Sequence, residues 1–202
     1  PPAGAERDAL LLAAMGHPDA RQIDGIGGGT SLTTKLAIVS PAKDNDNDVD
    51  YLFGQVVPAE SRIDYAPTCG NILAAVGPYA IEKGWVAANR DETPVRIFMV
   101  NTQARCTATV TTTDGAVMYA GAARISGVPG TAAPIFLRFA DILGSSCGSL
   151  FPTGLPKDRI LETDVTCIYH GMPVGLIRAD DCGVTGYETP AELDANTALK
   201  AR

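Results

Sequence analysis

Pro67-Thr68-Cys69-Gly70-Asn71 leads straight into the helix-like run Ile72 to Lys83, the one helical reading among the strand-like segments between Leu36 and Phe139. The first N–H groups of a helix have no partner within it, and the positive end of its dipole lies there. Such a junction favours anions and lowers the pKa of a thiol placed beside it. Cys69 is therefore a candidate catalytic residue, with Gly70 and Asn71 as candidates to hold a substrate carboxylate at the helix start. The competing reading of a single cysteine is a small buried hydrophobe. Within the run, Gly77-Pro78 predicts a kink.

Upstream, Arg21 to Lys35 reads as a polar loop feeding the strand-like run Leu36 to Val39. Its glycines, Gly27, Gly28 and Gly29, permit positive φ and bring backbone N–H groups close to a bound anion. Thr30, Ser31, Thr33 and Thr34 add hydroxyls, and Lys35 is the one cation beside them. Gly29, Thr30 and Ser31 are candidate carboxylate ligands. A dinucleotide loop would need glycine where Thr30 stands, and a phosphate loop would need glycine where Thr34 stands, so both nucleotide readings fail. The alternative is a solvated loop with a surface lysine.

Strand-like runs continue at Gln55 to Val57, Val95 to Thr102, Thr107 to Thr113, Ala116 to Tyr119, Ile135 to Phe139 and Val165 to Ile168. Asp114-Gly115 between two of them predicts a hairpin turn. Ala5 to Met15 carries apolar residues at helical spacing and ends before Gly16. Thr189-Pro190-Ala191-Glu192 has the residues of a helix start. Residues 1–184 are expected to form one domain, with 185–202 beginning a connection beyond it.

At 202 residues and 46% hydrophobic, the chain can bury one sizeable core. Its apolar stretches break within about 10 residues, short of the ~20 of a spanning helix, so neither a membrane partner nor a signal peptide is expected and the reading is cytoplasmic. A net charge of −7 argues against a nucleic-acid partner, since phosphate binding needs clustered Lys and Arg. Cys69, Cys106, Cys147, Cys167 and Cys182 are odd in number and lack C-x-x-C spacing, which favours reduced thiols. With His17 and His170 the only histidines, no metal site is predicted. The stretch from Asp44 to Asp50 has Val49 where a calcium loop needs its turn glycine, and reads as a turn between strands.

Several long segments together resemble the PrpF family: RQIDGIGGGTSLTTK (21–35), DVDYLFGQV (48–56), PTCGN (67–71), GPYAIEKG (77–84) and VRIFMVNT (95–102). SGVPGTAAPI (126–135), LFPTG (150–154), VTCIYHGMPV (165–174) and TGYETPAEL (185–193) are most similar to its 4-oxalomesaconate tautomerase/isomerase branch, rather than to the 2-methylaconitate cis/trans isomerases. The resemblance implies an α+β, diaminopimelate-epimerase-like fold: two pseudo-symmetric halves, each a β-rich, barrel-like wrap around a central helix, with the active site between them. The family's Arg-Gly-Gly-Thr-Ser-Lys-type opening and its second half are not in this sequence. The expectation is an excised N-terminal-half portion lacking its first strand region.

The same resemblance implies a cofactor-independent 1,3-allylic proton transfer that shifts a C=C bond in an unsaturated keto tricarboxylate, in aromatic-compound catabolism. The implied partner is a small polycarboxylate, and the assembly in view is a homodimer. Lys35 is assigned as the base and Cys69 as the acid, with the reverse order left open; Asn101 and Thr102 are further substrate-binding candidates. A lysine base must be neutral, and burial beside a positive helix end would depress its pKa from ~10.4. Two readings stand outside this class. Gly144-Ser145-Ser146-Cys147-Gly148 fits the nucleophile-elbow pattern of a serine hydrolase, with Asp158 or Asp164 and His170 following. A noncatalytic carboxylate-binding module is the other.

Overall fold

A computed structural model describes residues 4–58, 60–140 and 147–201. The chain divides into two compact units, Pro1–Asp141 and Ile142–Arg202.

The first unit is built on a mixed sheet. Its strands are β1 (Lys35–Pro41), β2 (Val49–Val56), β3 (Ile63–Asp64), β4 (Glu92–Met99), β5 (Ala104–Thr113), β6 (Ala116–Val117) and β7 (Ile135–Ala140). The path runs β1-β2-β4-β5-β6, with β3 on β2 and β7 on β5, and the β2–β4 pairing is parallel. In β4, Thr93, Val95, Ile97 and Met99 are buried and alternate with more exposed residues; in β5, Ala104, Cys106, Ala108, Val110 and Thr112 do the same. This period of two puts one face of each strand into the core. Asp114 and Gly115, both with positive φ, close the β5–β6 hairpin, as the two central residues of a type I′ turn must. Between β1 and β2, the Asp44 carboxylate accepts from the backbone of Asp46 and Asn47, which makes the polar stretch a strand-connecting turn.

Helix α1 (Ala5–Met15) ends where predicted, at Gly16 in the left-handed conformation. Leu12 and Met15 pack with Val56, Ile63 and Leu36. The predicted helix over 72–83 is two pieces, α2 (Gly70–Leu73) and α3 (Val76–Glu82). The break falls at Ala74-Ala75, not at Gly77-Pro78. Proline has no N–H to offer the carbonyl four residues back, and its ring crowds that carbonyl, here Ala74. Pro78 thus sits in the first turn of α3, where no intrahelical N–H bond is required. At Gly77 a Cβ would lie 2.7 Å from Val110 and 3.2 Å from Ala108, so glycine lets α3 settle on β5. Val76, Ala80 and Ile81 fill the core with Tyr51, Phe53, Leu73 and Ile97.

The second unit holds an antiparallel sheet of β8 (Asp158–Ile160), β9 (Thr163–Tyr169) and β10 (Pro173–Ile177), then α4 (Pro190–Ala195) and α5 (Thr197–Lys200). Thr189 caps α4 through a reciprocal capping box with Glu192. Just before it, the Glu188 carboxylate accepts from the Thr185 N–H, the Thr185 hydroxyl and the Gly186 N–H. The Thr185 backbone bond leads in holding its pKa down at about 2. A carboxyl depressed on folding stabilises the turn above its unfolded value near 4.5 and gives that up as pH falls through about 2. Carbon-detected NMR titration of Glu188 should therefore show a midpoint well below that of an ordinary glutamate. A midpoint of 4 or above would remove this turn's hydrogen bonding.

Candidate functional site

Lys35 is the first residue of β1, opposite Gln55 on β2, and is half-buried. Residues paired across a ladder share a face. Lys35, Ala37 and Val39 therefore lie on the face that carries Tyr51 and Phe53 into the core. Cys69 caps α2 in an extended conformation, half-buried against that same core. Its carbonyl accepts the Leu73 N–H at 3.1 Å and the Tyr51 hydroxyl at 3.3 Å. Tyr51 pairs with Val39, four residues along β1 from Lys35. At ~3.3 Å per residue, Lys35 and Val39 stand about 13 Å apart along the strand. The fold thus sets the two candidates on one side of the sheet, but at different points along β1. Between β1 and the α2–α3 pair runs an apolar groove of about 410 Å³, lined by Ala37, Ile38, Val39, Ile72, Val76 and their neighbours.

Gly70 and Asn71 are exposed at the start of α2. A Cβ on Gly70 would meet only Phe139, at 3.9 Å, so the space above its backbone is open. The N–H groups of Gly70, Asn71 and Ile72 precede the first intrahelical bond, the one from Leu73 to Cys69. With α2 only four residues long, a full-length helix dipole does not act at Cys69, contrary to the sequence reading. What is left there is the set of first-turn N–H donors.

The glycine loop departs from expectation for a clear reason. The N–H groups of Gly28 and Gly29 donate to the Gln22 carboxamide oxygen at 3.0 and 2.9 Å, and Gln22 is buried with a positive φ. A Cβ on Gly27 would fall 2.1 Å from that oxygen, and one on Gly28 would fall 2.3 Å from the Thr33 hydroxyl. These glycines admit the protein's own side chains. Thr30 and Thr33 hydroxyls lie 3.0 Å apart, and Thr34 donates to the Thr30 carbonyl at 2.8 Å. The Gln55 amide nitrogen lies within 3.1 Å of the Ser31, Thr34 and Val56 carbonyls. Gly29 and Thr30 are accordingly loop-building residues that deliver Lys35 to β1, while Ser31 stays exposed beside it.

Asn101 is also occupied. Its carboxamide accepts the Phe53 N–H at 2.7 Å and donates to the carbonyls of Phe53, at 2.9 Å, and Tyr65. It extends the β2 ladder beyond β4, with its carboxamide committed to backbone partners. Asn101→Ala should cost about 2 kcal/mol in urea unfolding of the full-length protein, because three backbone groups lose their partner. A loss below about 0.5 kcal/mol would remove this role. Thr102 follows in the same turn, its hydroxyl oxygen buried without a hydrogen-bond partner.

Of the hydrolase reading, Gly144, Ser145 and Ser146 lie outside the described residues. Asp158 accepts the Thr153 hydroxyl, and Asp164 is paired with Lys157 and Arg159. Tyr51, Gln22 and Gln55 were not singled out in the sequence. The signal for the two glutamines was a carboxamide flanking a run of glycines and threonines.

A family profile described as PrpF protein matches residues 1–202. The 4-oxalomesaconate tautomerase of Pseudomonas putida KT2440 is 57% identical over 202 residues, covering 100% of this chain and 56% of that protein. The (4E)-oxalomesaconate Delta-isomerase of Novosphingobium sp. KA1 is 54% identical over 98% of this chain and 56% of its own length. The crystal structure of a methylitaconate-delta-isomerase superposes with a TM-score of 0.78 at 40% identity, over 99% of this chain and 53% of that one. The chain thus spans about half the length of the relatives it matches.

Proposed function

The chain belongs to the PrpF family, and on that footing we propose that the protein it comes from is a cofactor-independent isomerase. In this reading it moves a C=C bond in 4-oxalomesaconate or a closely similar keto tricarboxylate. The observation that carries the reading is 57% identity along the whole chain to a 4-oxalomesaconate tautomerase. The 2-methylaconitate or methylitaconate alternative has less behind it: the methylitaconate isomerase stands at 40%.

The chemistry asks for a base, an acid and dipoles. The Lys35 amine takes the proton that the conjugated carbonyl makes acidic, and leaves as an ammonium. The electron pair spreads into the dienolate, whose charge and carboxylates are met by the N–H donors at Gly70 and Asn71 and by the Ser31 hydroxyl. Cys69 gives a proton to the far carbon and becomes a thiolate; both groups then reset with solvent. No helix among the described residues is long and apolar enough to cross a membrane. Five unpaired cysteines favour a reducing compartment such as the cytoplasm.

Proton NMR of 4-oxalomesaconate in D₂O with the full-length enzyme is the test. Migration of the double bond with deuterium entering at the allylic carbon is expected. Turnover of 2-methylaconitate with 4-oxalomesaconate left untouched would overturn the substrate assignment.

A further inference from the structure

Tyr51 is fully buried, surrounded by the apolar side chains of β2, β4 and the α2–α3 segment. A phenol in such a place costs free energy unless its hydroxyl is hydrogen-bonded, and phenylalanine would fill the same volume without that demand. The hydroxyl donates to the Cys69 carbonyl at 3.3 Å. That carbonyl already accepts the Leu73 N–H, so the start of α2 is satisfied without tyrosine. The second bond adds a fixed position for Cys69.

We propose that Tyr51 is the positioning residue of Cys69: from the core of the sheet, its hydroxyl holds the backbone of Cys69 in the extended conformation from which α2 begins. The inference rests on the reading of Cys69 as the acid. Burial first, then the negative charge of a Cys69 thiolate, raise the Tyr51 pKa far above its ordinary value. The phenol therefore remains a neutral donor while the neighbouring thiol gives up and regains its proton. This role would let the thiol meet the substrate in one orientation in every turnover.

The test is Tyr51→Phe in the full-length protein. The rate of Cys69 alkylation by iodoacetamide is measured by mass spectrometry against exposed Cys147 in the same molecules, together with kcat, KM and melting temperature. Removing the donor should lower kcat roughly tenfold, the scale of one hydrogen bond in a reacting geometry. KM and melting temperature should stay near wild type, and the Cys69 to Cys147 ratio should change severalfold. A ratio unchanged from wild type overturns the proposal. A melting temperature far below wild type also overturns it, because the hydroxyl then serves the fold. A changed ratio in a protein whose Cys69→Ser variant isomerises normally sustains the hold of Tyr51 on Cys69, and removes the catalytic reading of the thiol instead.

Discussion

Lys35→Met in the full-length protein should lower kcat by about 10³-fold, within the range of general-base catalysis, while circular dichroism and melting temperature stay near wild type. Methionine keeps an unbranched aliphatic stem of similar reach, so the packing at the start of β1 is preserved and only the amine is lost. Lys35 is half-buried at a strand end, and the loop leading to it is held by bonds that do not use its amine. Gln22 fastens Gly28 and Gly29, and Gln55 fastens Ser31 and Thr34. The backbone geometry should therefore survive, and the deficit should appear in the chemical step: deuterium exchange into the substrate should fall as far as isomerisation does. A folded variant turning over at near wild-type rate would make Lys35 a surface lysine, and the assignment of the base would have to be withdrawn.

Cys69→Ser should lower kcat by about 10²-fold, because a serine hydroxyl is a far weaker acid than a thiol and water can deliver part of the missing proton flux. The labelling pattern of the five cysteines gives an independent reading. Cys106 is buried, and burial pushes its thiol up to about 11, so it should react last. Cys147 is exposed and serves as the reference; Cys69, Cys167 and Cys182 are half-buried. Cys69, the thiol assigned to the proton transfer and placed beside the first-turn N–H donors of Gly70 and Asn71, should still label faster than Cys167 and Cys182. A tricarboxylate should then protect Cys69 and leave Cys147 unchanged, because its carboxylate occupies those donors. Labelling of Cys69 with full retention of isomerase activity would end its assignment.

Much of the fold was legible where the cause is local. The end of α1 followed from Gly16, the β5–β6 turn from Asp114-Gly115, and the start of α4 from Thr189, Pro190 and Glu192. Each is fixed by the conformational range of one or two residues or by a hydrogen bond spanning three. β4 and β5 were readable because one buried face imposes a period of two. β3, β8 and β10 were not read as strands. β3 is two residues long, β8 three, and β10 is exposed along its whole length with a proline and a glycine in it. Their strand character comes from the neighbour each pairs with, which the local pattern does not encode.

The site divides in the same way. Sequence by itself determined that a thiol would stand at a helix start, that a lysine would open a strand after a glycine-rich loop, and that both lie in segments resembling one family's. Only the tertiary structure decided what the glycines admit. Their freedom of φ and lack of a side chain permit close approach by any acceptor, and the partner that arrives is the carboxamide of Gln22, brought there by the packing of α1 and the loop. It likewise decided that Asn101 serves the edge of β2 and that the helix after Cys69 stops at Leu73. A residue type fixes which bonds it can make. Which bond it does make depends on what the rest of the chain places within about 3 Å of it, and only the folded arrangement supplies that.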